Sequence, residues 1–323
     1  MSHSFRIVPR GPYSLQASAS FLCGFTPTKG ASATTDDGRL VLGFLDDSTY
    51  EPVTVALSQA SDGAVEVEVS GACRADAVSA QVARIFSLDH DGTLLREVAA
   101  REPVVARACE AAPGFRPVCF PSPYEAAVWG VLAQRIPMAV ASKTKQRLAE
   151  ATETIAEGFG RSFRPSPAPE KLLALDALPG LPEEKLARLK GVALAALEGK
   201  LQASRLRATS YEDAHAELRS LRGVGAWTAD HILVRGTGLA DVTPTSEPRV
   251  LRAIEHAYGL STVPSPPEAL AISERWRPLR TWITVLLVWQ LAQNGGWNRR
   301  GAPRVSRRSR ALPREERRSP PSY

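Results

Sequence analysis

The chain has 323 residues, 44% hydrophobic and 23% charged, a size and balance that suit one large or two medium domains around a buried core. No apolar run approaches the roughly 18 residues of a membrane helix, and the leader-like apolar stretch of a secreted chain is missing, so a cytoplasmic setting without membrane contact is expected. Four scattered cysteines with no C-x-x-C pair give no reason to expect a zinc or iron–sulfur site, and reduced thiols are expected.

The net charge of +6 sits at one end. Residues 299–323 hold nine arginines against two glutamates, which leaves the remainder near neutral. Overall charge therefore does not establish nucleic-acid binding.

In chain order, residues 1–112 carry short β-like runs. Val65, Val67 and Val69 alternate with Glu66 and Glu68, the period of a half-buried strand, and the runs 40–44 and 53–57 are plausible neighbours. From Ser122 the texture turns helical. Ser122-Pro123-Tyr124-Glu125 reads as a capping box with proline at the first helical position. Further helices are expected at about 138–157, 182–199, 211–220, 226–236, 246–258 and 267–293. Residues 295–323, rich in Arg, Pro and Ser, read as a disordered basic tail. The expected fold class is α+β, with a β-rich domain over 1–112, an all-α region of two helical subdomains over 113–294, and the tail.

The most informative string is Leu221-Arg222-Gly223-Val224-Gly225-Ala226-Trp227-Thr228-Ala229, lying between two expected helices. Glycines allow a tight turn with positive φ and a backbone bare of side chains. Peptide N–H groups there, with the start of the next helix, can point at a phosphate without reading sequence. A bare G-x-G would suit an ordinary helical corner equally well; the whole string favours the phosphate reading.

This segment resembles the helix-hairpin-helix of the DNA glycosylase superfamily, most closely the bacterial 3-methyladenine DNA glycosylase II type. The resemblance runs from about Tyr13 to Gln293 and includes the blocks PGFRPVCFPSPYEAAVWGVLAQRI at 113–136 and ERWRPLRTW at 274–282. It implies a β-rich domain, two helical domains and an active-site cleft between them. DNA contacts are expected from Gly223, Val224, Gly225 and Thr228, and from Gln134 and Arg135, where the family inserts an apolar side chain into the gap left by a flipped base; a solvated arginine at a helix end would explain Arg135 equally well. A structural cation at the carbonyls of Leu221 and Val224 is a further implication; no cofactor is expected.

Bifunctional members carry a nucleophilic lysine where this chain has Trp227, so lyase chemistry is not expected. The resemblance instead places Trp227 and Trp289 in a pocket for a cationic, flipped base, with His231 where the family has a pocket tyrosine; an ordinary satisfied histidine would suit that position equally well. Outside the resemblance, core packing is the favoured explanation of both tryptophans. The family's catalytic aspartate falls on Glu247, a carboxylate one methylene longer. Asp241, nearby, has a bracing role in the family. The expected function is a monomeric, monofunctional DNA glycosylase that removes alkylated bases from damaged double-stranded DNA at the nucleoid. The aspartate-to-glutamate change leaves open a non-catalytic protein that binds damaged DNA on the same scaffold.

Overall fold

A computed structural model describes residues 2–28 and 30–295. The tail expected from 295 onward lies, beyond Gly295, outside the described residues. The N-terminal part holds an antiparallel sheet in the order β1-β5-β4-β3-β2, formed by β1 (Ser2–Ile7), β2 (Ser32–Thr34), β3 (Leu40–Leu45), β4 (Pro52–Gln59) and β5 (Val65–Ser70). As the alternation of β5 predicts, Val65, Val67 and Val69 are buried while Glu66 and Glu68 are exposed. Its register pairs Phe5 with Val67 on one side and Leu57 with Val67 on the other.

Strand β3 does not alternate, because both sheet faces are covered. One face packs on helices α1 (Leu15–Gly24), α2 (Ala75–Ile85), α3 (Leu94–Arg101) and α4 (Pro103–Glu110). The other receives a small hairpin, β6 (Ala156–Gly158) and β7 (Arg161–Phe163), whose Phe163 lies on Gly43. The region expected to be β-rich is thus as much helix as strand, and the whole is an α+β fold.

The remaining helices are α5 (Pro123–Leu132), α6 (Met138–Ala151), α7 (Pro169–Ala174), α8 (Glu183–Leu197), α9 (Ala203–Ala208), α10 (Tyr211–Ser220), α11 (Ala226–His231), α12 (Pro248–Tyr258), α13 (Pro266–Ser273) and α14 (Arg280–Gln293). Two large apolar clusters organise them. One joins the sheet and α1–α4 to α12, α13 and α14 through residues such as Phe86, Val105, Ile254, Trp276 and Ile283. The other gathers α5, α7, α8, α10 and α11 around Val128, Leu172, Leu189 and Leu233. A boundary near residue 112 remains our proposal about chain organisation; the first core crosses it.

Three expected helices differ from those observed. The segment 138–157 stops at Ala151, where β-branched Thr152, Thr154 and Ile155 and a left-handed Glu153 (φ 48°) lead into β6. The segment 267–293 breaks between Ser273 and Arg280, because Pro278 offers no N–H and disfavours helix at the residue before it. The segment 226–236 leaves α-helical geometry at Ile232, and Thr237 N–H bonds to the Ile232 carbonyl at 3.0 Å in a π-turn. Gly236 allows this turn to press against α5: a Cβ there would lie 2.7 Å from Pro123 Cα.

Candidate active site

The hairpin starts where α10 ends. Ser210 caps α10 by accepting the Asp213 N–H at 3.1 Å, and Glu212 and Asp213 lie in its first turn, favoured by the helix dipole. The chain then turns through Arg222–Gly225 into α11. Only Gly223 needs the left-handed conformation, at φ 88°; Gly225 is extended, with φ −89° and ψ 179°. A side chain at 223 would also strike Arg188, whose Cδ lies 2.6 Å from an ideal Cβ.

Val224 buries its side chain in the second core, and its N–H bonds to the Leu221 carbonyl at 3.0 Å. This hydrogen bond closes the hairpin and occupies one lone pair of the Leu221 carbonyl. Gly225 and Ala226 are exposed. Thr228 departs from expectation as a DNA contact: it is buried, its methyl beside Gly130, and its side chain serves helix packing.

The loop after α5 is fastened to this hairpin. Gln134 Nε2 donates to the Gly223 carbonyl at 2.6 Å, and Lys185 Nζ donates to the carbonyls of Leu132 and Gln134 at 3.1 Å each. Gln134 therefore braces the hairpin. Its neighbour Arg135 is exposed, held at φ 58°, and has no hydrogen bond or ion pair to another described residue. A left-handed arginine at a loop tip is a strained placement of the kind concentrated at functional sites.

Between the two cores lies a cavity of about 450 Å³, lined among others by Phe25, Trp129, Trp227, His231, Glu247 and Trp289. Trp227 stacks on His231 one helical turn later, at 5.0 Å and 12°, the i,i+4 contact of α11. Trp289 stacks on Phe115 at 4.9 Å and 17°. Each indole thus has an aromatic ring against one face while lining the cavity.

The polar chemistry of the cavity is unusual in one respect. His231 Nε2, Arg235 Nε, Thr284 Oγ1 and Trp289 Nε1 are buried in its walls without a hydrogen-bond partner among the described residues. Burial, with the nearby Arg235 and Arg249 cations, pushes the His231 imidazole down to about 3, so it is neutral at physiological pH. Burial also lowers Arg235 to about 10, which leaves it charged; it lies over the rings of Phe21 and Phe25.

Glu247 caps α12. Its Oε1 accepts the Arg249 backbone N–H at 3.0 Å and Arg249 Nε at 2.8 Å, while Oε2 accepts Arg249 Nη2 and Trp227 Nε1 at 2.8 Å each. Burial opposes its charge, yet the Arg249 ion pair and the Trp227 hydrogen bond outweigh it and hold the carboxyl down at about 2.

Sequence reasoning missed two anchors of this arrangement. Buried Asp230 accepts the hydroxyls of Tyr211 and Ser246 and pairs with His215 at 3.3 Å, tying α10 and α11 to the loop that delivers Glu247. A lone carboxylate amid the apolar residues of the hairpin helix was its only signal. Arg249, two residues past the carboxylate, was the other. Asp241 braces the loop, paired with Arg280 at 2.8 Å and Arg277 at 2.9 Å.

No protein-family model matches the chain. It is 28% identical over 211 residues to the DNA-3-methyladenine glycosylase of Bacillus subtilis, covering 64% of this chain and 69% of that protein. It is 26% identical over 248 residues to DNA-3-methyladenine glycosylase 2 of Escherichia coli, covering 74% and 81%. A bifunctional transcriptional activator and DNA repair enzyme of Mycobacterium tuberculosis matches at 29%, with 41% of its length spanned. Among solved structures, the 3-methyladenine DNA glycosylase of Archaeoglobus fulgidus shares the fold at TM-score 0.74 and 20% identity, over 90% of this chain and 98% of that one. An 8-oxoguanine glycosylase/lyase of Clostridium acetobutylicum in complex with DNA shares it at 0.66 and 15%, over 91% and 98%.

The hairpin, the cleft and these matches support the helix-hairpin-helix DNA glycosylase superfamily, whose fold the chain shares. Within it, the chain resembles 3-methyladenine DNA glycosylase II.

Proposed function

We propose that this protein is a monofunctional DNA glycosylase that excises alkylated bases of the 3-methyladenine type from double-stranded DNA, the first step of base excision repair. The observation that carries the reading is an ionised carboxylate, Glu247, in the wall of an aromatic cavity and hydrogen-bonded to Trp227. An alkylated purine in DNA carries positive charge, so it leaves with the bonding pair of the glycosidic bond as a neutral base and needs little acid assistance. The sugar is left with oxocarbenium character, which a fixed carboxylate stabilises. Water then adds to the anomeric carbon, gives up a proton, and an abasic site remains.

In this reading the turn at Gly223–Gly225 lies against a phosphate, presenting the exposed Gly225, with Gln134 holding the turn. Arg135 enters the gap left by the flipped nucleotide. Trp227 and Trp289 receive the base on their cavity faces, and neutral His231 adds no charge to repel a cationic lesion. The chain acts as a monomer on the nucleoid.

Duplexes containing 3-methyladenine or hypoxanthine, treated with protein and then with alkali, test the proposal. Strand breaks that disappear in Glu247→Gln are expected. Tight binding without breaks would make the protein a damage binder, and breaks without alkali would contradict the absence of a lyase.

A further inference from the structure

The side chain of Arg249 closes on the very carboxylate that the proposed reaction requires. Its guanidinium forks both oxygens of Glu247 at 2.8 Å, so much of the carboxylate's charge is offset where it stands. A carboxylate so paired offers little to a developing sugar cation. The two partners are unequal in exposure: the Glu247 side chain is 17% exposed and that of Arg249 44%. Arg249 also lines the cavity that Glu247 serves.

A planar guanidinium on a part-exposed side chain suits a phosphate as well as a carboxylate. The fork is not the only thing that holds Glu247. The Trp227 Nε1–H and the Arg249 backbone N–H, at 2.8 and 3.0 Å, stay in place if the guanidinium leaves, as does the cap on α12.

We propose that Arg249 is a phosphate-operated latch. In the free protein it covers Glu247. When DNA binds, a backbone phosphate beside the flipped nucleotide draws the guanidinium away, and the carboxylate stays behind, positioned and charged, toward the sugar. Arg249 is then a positioning residue that couples engagement of the backbone to exposure of the reacting group. The inference rests on the role given to Glu247 above, but it makes a binding prediction that does not depend on excision.

The test is a double-mutant cycle on affinity for a duplex carrying a tetrahydrofuran abasic-site analogue, read by fluorescence anisotropy across a salt series. Glu247→Gln removes the ion pair to Arg249 in the unbound protein and should tighten binding by about fivefold, the equivalent of one exposed ion pair. Arg249→Ala should weaken binding and reduce the slope of log K against log salt by about 0.9, one phosphate contact. In the double variant the tightening by Glu247→Gln should vanish. Arg249→Gln carries the same arm if the alanine variant does not fold, and Arg249→Lys should retain the salt slope through its charge.

Equal tightening with and without Arg249 would reduce the effect to loss of a negative charge and overturn the latch. So would no tightening, or an unchanged salt slope in Arg249→Ala. Undiminished excision by Glu247→Gln would overturn the Glu247 reading instead, and the two failures are therefore distinguishable.

Discussion

At the scale of single residues, the cavity works by pairing charge and by withholding it. Glu247 stays ionised because Arg249 and Trp227 surround it with donors, whereas His231, one turn from Trp227, is forced neutral by burial. The second effect has a signature in stability. The folded value of His231, about 3, lies below its unfolded value near 6.5, so below pH 6.5 the unfolded chain binds a proton that the native chain refuses. Stability should fall as pH drops from 6.5 toward 3, at up to about 1.4 kcal/mol per pH unit from this group. His231→Phe should flatten the urea midpoint over that window. The Glu247 contribution, present above its unfolded value and lost as pH falls toward about 2, should remain. An unchanged profile in His231→Phe would show that the imidazole titrates normally.

At the scale of elements, the hairpin depends on its two glycines unequally. Gly223 combines φ 88° with an approach to Arg188 that leaves no room for a Cβ, whereas Gly225 is extended and open. Gly223→Ala should destabilise the protein by about 1–2 kcal/mol and weaken DNA binding, and Gly225→Ala should leave the melting temperature nearly unchanged. Equal effects at both positions, measured by thermal melting, would contradict the observed turn. The sequence shows a Gly-x-Gly turn between helices; it does not show which glycine takes the left-handed conformation, nor that Arg188 of α8 packs against Gly223. The helices α1–α4 were obscured similarly. Val78, Val82 and Ile85 recur at helical spacing, but the strong alternation of β5 just before them dominates the region.

At the scale of the molecule, the cavity exists because two cores, built from different parts of the chain, meet along one seam. The first draws α12–α14 back onto the N-terminal sheet, a return across more than a hundred residues that no local pattern announces. What was legible locally was the Gly-x-Gly turn between helices; Trp227, Trp289 and Glu247 stood out only through the family resemblance, and all three line the cavity. Asp230 and Arg249 were not legible as parts of the site, because their roles arise only when α10, α11 and the loop before α12 converge.

The arginines of residues 299–323 bear on the whole molecule through charge. Deleting that segment should flatten the salt dependence of DNA affinity, and an unchanged slope would show that it does not contact DNA.

The most direct measurement is the single-turnover rate at which 3-methyladenine is released from a duplex saturated with wild-type protein or with Glu247→Gln. Loss of one preorganised electrostatic group should slow release by about 100-fold or more while the duplex stays bound. Release at the wild-type rate would contradict the central claim, that the carboxylate at 247 stabilises the sugar as the base departs.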